Sequence, residues 1–353
     1  MKDALQVLVL GVGGNVSQSI LKALRLSAIP CRVMGACISP HSAGLYLVDK
    51  AYVTPRADDP SFPDWLMRTC REEHVHAVLS GVEPVLDVLS GCAPELRRQT
   101  GAVAIVSRPE VLAIGHDKLR TCQWLKEHGL AYPRYADAED RGAVERLLAQ
   151  CGFPLVVKPR RGKGSHGLTV ARDERDVEYW ARRPGYVIEE YLGDETTEYT
   201  VGCFSDRDGR VRGAIAMRRE IQDGTTYRAV AGDFPAIREE AVRIAGLLTP
   251  MGPCNVQLRA HQGRATCFEV NIRFSGTTAL RARFGFNDVE ATLRHYVLGE
   301  PAVDLPQVAR GIGLRYWNEV YVEAEARDEL SRNGVLERPA SRGTRVEDFG
   351  IKP

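Results

Sequence analysis

The sequence predicts an α/β unit followed by α+β units, and its 353 residues leave room for two or three domains. Three observations carry this. Up to about Ser107, short β-branched runs alternate with helical segments, the pattern of a parallel sheet with crossover helices. Near His116 the texture changes to an isolated amphipathic helix, which sets a boundary near residue 115. After residue 192 strands dominate, with one clear helix over 238–248.

The opening QVLVLGVGGNVSQSILKALRLSAIP gives a strand, a glycine turn and a helix with Ile20, Leu21 and Leu24 at 3.6 spacing. CRVMGACI, KAYVT, AVLSG and VAIVS follow as strands, with helices in FPDWLMRTCREEHV and EPVLDVLSGCAPELRRQT between them. Gly11, Gly13 and Gly14 suggest a dinucleotide turn. Val16, however, stands where GxGxxG needs a third small residue, and no acid ends the second strand at the right distance. The glycines therefore read as a tight βα turn, with a helix N-terminus on which a carboxylate or phosphate can rest.

DKLRTCQWLKEHGL is a helix capped by Asp117 and stopped between Gly129 and Pro133. A helix in AEDRGAVERLLAQCG, the strand PLVVKP, the glycine-rich RRGKGSHG, the strand LTVA, a helix from Asp173 and the strand YVIEEYL make a small α+β unit. The remainder reads as strands EYTVGCFS, RVRGAIAM, CNVQLRAH and ATCFEVNI, closing with RGIGLRYWNEVYVEA as a strand pair or long hairpin arm. The expected units are 1–115, 116–192 and 193–353.

Composition narrows the function classes. Forty-seven Lys and Arg against 46 Asp and Glu leave a net charge of +1, so there is no general electrostatic case for nucleic acid or an anionic membrane. The apolar run 7–10 is too short for a signal segment or a span. Nine scattered cysteines without a CxxC pair read as reduced core thiols of a cytoplasmic protein. His74 and His76 alternate in EEHVH without a converging third ligand and read as a surface strand end.

Chemistry gathers in three places. Lys158 ends an apolar strand beside RRGKGSHG, where glycine amides, the Ser165 hydroxyl and the charges of Arg160, Arg161 and Lys163 suit phosphate; an exposed basic hairpin tip is the alternative. There is no GxxxxGK[ST], which excludes a Walker loop. Glu189, Glu190 and Glu198 offer acceptors to ribose hydroxyls or an adenine amino group, or form a solvated strand end. In FEVNIRF, alternation puts Glu269, Asn271 and Arg273 on one strand face. With Gln257 on the neighbouring strand, their oxygens suit Mg²⁺ and Arg273 faces a γ-phosphate; a polar sheet face is the alternative.

Taken together, DK at 117–118, VVKP with its glycine loop, IEEYL…EYTV and NVQ…EVNIRFSGTTAL resemble ATP-grasp superfamily ligases. The last two segments are most similar to the synthetase halves of the carbamoyl phosphate synthase large subunit, which also has glutamine at the position of Gln257. The resemblance implies an ATP-grasp fold behind an N-terminal Rossmann-like pre-ATP-grasp domain, with ATP and Mg²⁺ as cofactors. It further implies that Lys118 and Lys158 hold nucleotide phosphates, that the 162–167 loop with Gly164, Ser165, His166 and Gly167 is a lid, and that Glu189, Glu190 and Leu192 meet adenine. By the same resemblance Glu198 is the ribose acid, Gln257, Glu269 and Asn271 are metal ligands, and Arg273 steadies the transferred phosphoryl group. Neutral Gln257, the insertion GDETTEYT and the basic lid depart from the pattern, and bear on a second Mg²⁺ and on the lid contacts.

The activity implied is ADP-forming carboxylate–amine ligation through an acyl phosphate, with a small carboxylate and an amine as partners, no nucleic acid or membrane, and a homodimer as an allowed assembly. Arg219 and Arg218 would meet the acyl phosphate or the carboxylate, or lie at a solvated edge. Glu83, Arg281 and Arg283 are further substrate candidates, against a helix-terminus role for Glu83 and a solvated helix face for the arginines. The competing readings are activation of bicarbonate or carbamate, and a nucleotide-binding module without turnover.

Overall fold

The computed structural model describes residues 4–162, 164, 166–193, 197–306 and 310–347; the phosphate-binding candidates Lys163 and Ser165 lie outside them. The first sheet is built from β1 (Leu5–Leu10), β2 (Cys31–Cys37), β3 (Lys50–Val53), β4 (Ala77–Ser80) and β5 (Val103–Ala104), parallel in the order β3-β2-β1-β4-β5. Val7, Leu8, Val9 and Leu10 are all buried, as expected of a central strand covered on both faces. The crossover helices Asn15–Arg25, Phe62–Glu72 and Glu83–Thr100 occupy the segments expected from their periodicity.

The smaller sheet orders β6 (Tyr135–Asp137), β7 (Leu155–Pro159), β8 (Thr169–Ala171) and β9 (Tyr186–Glu190) as β6-β9-β7-β8, all antiparallel. Val144, Leu147 and Val177 of its two helices close its core. The larger sheet contains β10 (Glu198–Ser205), β11 (Val211–Gln222), β12 (Thr225–Ala231), β13 (Gly252–His261), β14 (Arg264–Asn271) and β15 (Gly311–Leu314), in the order β14-β13-β10-β11-β12-β15. Helix Pro235–Leu248 buries Ile237, Ala241, Ile244, Ala245 and Leu248 in the core that also holds Val201, Ala214, Ala216 and Val256.

Two features differ from the sequence reading. β12 is an additional strand and β11 is longer than RVRGAIAM, because Asp223 and Gly224 both take positive φ (50° and 68°) and turn the chain back in a two-residue hairpin. RGIGLRYWNEVYVEA is not a hairpin: β15 adds to β12 at the sheet edge. Past it come β16 (Glu319–Tyr321), β17 (Val335–Glu337) and β18 (Arg345–Glu347). β16 pairs with β18, whereas β17 returns to the first sheet, antiparallel to β3, and buries Leu336 there. Within the 193–353 stretch, 335–337 therefore belongs to the first sheet. Among the described residues no helix is long and apolar enough to cross a membrane.

Candidate active site

A cleft of about 350 Å³ opens between the smaller and larger sheets. Strand alternation aims Lys158 of β7 and Glu189 of β9 into it from one side. From the other come Glu198 of β10, Arg219 of β11, Gln257 and Arg259 of β13, and Glu269 of β14. Val156, Val170, Leu192, Ile221 and Phe268 give it apolar walls suited to a flat ring, with polar groups at one end.

Lys158 is 5% exposed, its Nζ 2.7 Å from a Glu189 carboxylate oxygen and donating to the Phe268 carbonyl at 3.2 Å. Burial alone would lower its pKa, but the Glu189 carboxylate, with Cys122 and Glu269 nearby, reverses the sign and holds the ammonium charged. Lys118 begins helix Lys118–Glu127 and its Nζ donates to the Gly162 carbonyl at 3.1 Å, at the root of the glycine-rich loop. Asp117 fixes that arrangement by accepting from the Leu119 and Arg120 amides and from Arg160 at 2.7 Å. Burial raises the Asp117 pKa, but Arg160 and the two amides outweigh it and the net shift is downward.

A depressed folded-state pKa means that this carboxylate's stabilisation is present above the ordinary aspartate range and disappears as pH falls through the lowered value. Asp117→Ala is expected to cost about 0.5–2 kcal/mol at pH 7, as a lost cap does, with the difference from wild type shrinking near pH 3. Urea unfolding at the two pH values checks it; an equal difference at both contradicts the assignment.

Glu198 lines the cleft, but its acceptor capacity is committed. One oxygen takes two N–H groups of Arg219 at 2.6 and 2.9 Å, the other two of Arg259 at 2.7 and 3.1 Å. A carboxylate offers about four such positions, so in this arrangement Glu198 orients two arginines rather than accepting from a ribose. Arg219 also donates to the Gln257 amide oxygen at 2.7 Å. Arg259 was absent from the sequence candidates, although alternation from Gln257 puts it on the same face of CNVQLRAH.

Glu269 accepts from Asn271 at 2.9 Å and from Gln257 at 3.5 Å. Burial raises its pKa, but Lys118, Lys158, Asn271 and Arg219 together bring it below the usual carboxylate value, so it is an anion in the cleft. Among the described residues there is no group of three His, Cys, Asp or Glu side chains that can hold a metal. One carboxylate with amide oxygens fits a hard cation that takes its remaining ligands from water and phosphate. The Gln257 oxygen is already engaged by Arg219, so Glu269 and Asn271 are the stronger candidates.

A second cavity of about 290 Å³ meets the first at Glu269, Gln257 and Arg219. The N-terminal glycine turn (Gly14, Asn15), Thr200, Asn255, Asn271, Arg273 and Ser275 line it, so all three sheet units contribute once His166 of the loop is counted. The β11–β12 hairpin closes over it. Asn15 donates to Thr225 at 2.8 Å, and Gly224 lies so near Gly164 that an added Cβ would stand 2.2 Å from the Gly164 carbonyl oxygen. Asn15, Thr200, Asn255 and Thr225 were not foreseen, because they sit on four separate elements that only the fold brings together.

The remaining candidates fall elsewhere. Arg273 lines the second cavity and pairs with Glu83 at 3.0 Å; Glu83 itself stands behind it, in the first turn of helix Glu83–Thr100. Leu192, Glu190, Gly164 and His166 line the nucleotide-sized cleft, whereas Gly167 is exposed outside both linings. Arg218 is exposed on the opposite face of β11 from Arg219, and Arg283 is exposed at the end of helix Thr278–Arg283. Arg281 lines neither cavity: it is fully buried against Asp288, at 2.5 Å. His76 accepts from the Gln6 amide at 3.0 Å, in line with a structural reading.

Comparison with known proteins gives the class. Residues 182–320 match the family described as "ATP-grasp in the biosynthetic pathway with Ter operon", and the chain has the ATP-grasp fold. Residues 7–104, which span most of the first sheet, match "PylC-like, N-terminal domain". The chain is similar to the carbamoyl phosphate synthase large chain of Halobacterium salinarum, 22% identical over 67% of this chain and 24% of the relative. It is also similar to the formate-dependent phosphoribosylglycinamide formyltransferase of Burkholderia thailandensis, 29% identical over 50% of this chain and 41% of the relative. The chain thus spans between a quarter and two fifths of these curated relatives. The ADP complex of N5-carboxyaminoimidazole synthetase from Staphylococcus aureus superposes with a TM-score of 0.69 at 13% identity, covering 94% of this chain and 86% of that one.

Proposed function

We propose that the protein is a cytoplasmic, ADP-forming carboxylate–amine ligase that uses ATP and Mg²⁺ and passes through an acyl phosphate of a small carboxylate. The observation that carries this is the position of Glu269, an ionised carboxylate at the junction of an apolar-walled cleft holding two lysines and a polar cavity. In this reading adenine lies against Leu192 and Phe268, while Lys118 and Lys158 meet the phosphates. Mg²⁺, held by Glu269 and Asn271 with Gln257 as a weaker candidate, supplies charge neutralisation on the triphosphate.

The chain's own part is positioning and electrostatics. Arg219, oriented by Glu198, points its guanidinium at the junction, where charge develops on the transferred phosphoryl oxygens. Arg273 does the same from the acceptor side. The substrate carboxylate attacks the γ-phosphorus, ADP leaves with the broken P–O bond's electrons, and the amine then displaces phosphate. The loop carrying Gly164 and His166, held down by the hairpin tip at Gly224, keeps water from the acyl phosphate. A homodimer is the assembly we propose, supported by Ile312 and Leu314, which stand 68% and 65% exposed on the edge strand β15.

The test is ADP release across a carboxylate and amine panel, with hydroxylamine as trapping amine. One carboxylate is expected to stimulate ADP release and yield a hydroxamate. ATP binding without any carboxylate-dependent ADP would favour a nucleotide-binding module, and labelled bicarbonate entering a stable product would favour the carbamoyl-phosphate reading.

A further inference from the structure

Beneath the second cavity lies a buried charge cluster that the reaction does not touch. Arg281 and Asp288 are both 0% exposed. The guanidinium is used as a fork. One terminal nitrogen donates to Asp288 at 2.5 Å and to the Thr278 hydroxyl at 3.0 Å. The other donates to the Ser275 hydroxyl at 3.1 Å and approaches the Asn255 amide oxygen at 3.5 Å, which also accepts from Thr200 at 2.9 Å. Ser275 continues the chain to Thr277 at 2.8 Å. Asn255, Ser275 and Thr277 line the cavity; Arg281 does not.

Burying a guanidinium is costly, and an apolar pair of similar volume would serve stability at least as well. What an apolar pair cannot do is hold β13 and the 275–278 loop at fixed separation from one point, a task that suits a rigid planar fork. The strand above is cut back to admit it: a Cβ at Gly202 would stand 2.5 Å from the guanidinium.

We propose that Arg281 is a positioning residue for the acceptor carboxylate, fixing Asn255 and Ser275 in the cavity wall that faces Glu269. The identity of the occupant rests on the ligase reading above; the positioning of the wall does not. In Arg281→Lys the single ammonium cannot span both arms. The KM of the carboxylate that best stimulates ADP release is expected to rise roughly tenfold or more, the worth of a lost charged hydrogen bond, with kcat little changed. Mg²⁺·AMP-PNP affinity by calorimetry is expected to stay as in wild type. Deuterium uptake is expected to rise in peptides covering 254–257 and 273–279. Asn255→Ala, which leaves the Arg281–Asp288 ion pair intact, is expected to give the same KM effect whatever its own cost in Tm.

A lower Tm for Arg281→Lys with unchanged KM and unchanged exchange at those peptides would overturn the proposal and leave a purely structural ion pair. So would a normal KM in Asn255→Ala, which decides the matter if Arg281→Lys does not fold. If no carboxylate stimulates wild-type ADP release, the ligase reading fails by itself, and the exchange comparison still decides whether Arg281 sets the wall.

Discussion

Glu269→Gln is expected to lower ADP-forming turnover by about 10²–10³-fold, the scale seen when one preorganised electrostatic contact to a transition state is removed. The substitution keeps the size of the side chain and a partner for Asn271 while deleting the charge. Glu269 stands apart from the other acids of the cleft. Glu189 is spent on Lys158, Glu198 on two arginines, and Glu190 faces Arg134 and His261, whereas the hydrogen bonds to Glu269 come from amides. It is therefore the carboxylate with charge to give to a cation. Steady-state ADP release at saturating nucleotide, with Mg²⁺ varied, measures the loss. Turnover within a few-fold of wild type at every Mg²⁺ concentration would contradict the assignment.

The second large effect is on stability. Lys158→Met is expected to cost about 3–5 kcal/mol, because it strands the Glu189 carboxylate, 3% exposed, without its counter-charge. The paired change Lys158→Met with Glu189→Leu is expected to recover most of that loss, since an apolar pair of similar volume has no ion to desolvate. It is not expected to recover nucleotide affinity, because the ammonium proposed to meet the phosphates is still missing. Urea unfolding together with nucleotide titration separates the two. A double variant no more stable than the single one would show that the ion pair is not the source of the cost.

Those two residues were legible in the sequence for different reasons. Lys158 is marked by an apolar strand running into a glycine-rich loop, and Glu269 by strict alternation with Asn271 and Arg273. Local rules were enough for the parallel strands of the first sheet and for the Asp117 cap, whose partners lie within three residues. β12 was missed because TTYRAVA gives little apolar–polar alternation, although the Asp-Gly pair before it is a hairpin signal in its own right.

Where contacts join distant segments, pattern reading had less to work with. β17 reaches β3 across more than two hundred residues, and Glu198 meets Arg259 only through the β10–β13 register. Arg281 was misplaced for a related reason: helical spacing cannot reveal Asp288 folding back over it, nor Gly202 clearing its space. Arg218 and Arg219, adjacent in sequence, were separated by the alternation of β11, which sends one to solvent and the other to the cleft.

The proposed function depends on one nucleotide lying between the two antiparallel sheets with its cation on Glu269. Calorimetric titration of AMP-PNP into wild type and Glu269→Gln, each with and without Mg²⁺, measures this most directly. One nucleotide per chain is expected, with wild-type affinity that rises when Mg²⁺ is added and a variant in which that rise is largely gone. Absence of binding to wild type, or an identical Mg²⁺ dependence in both proteins, would contradict it.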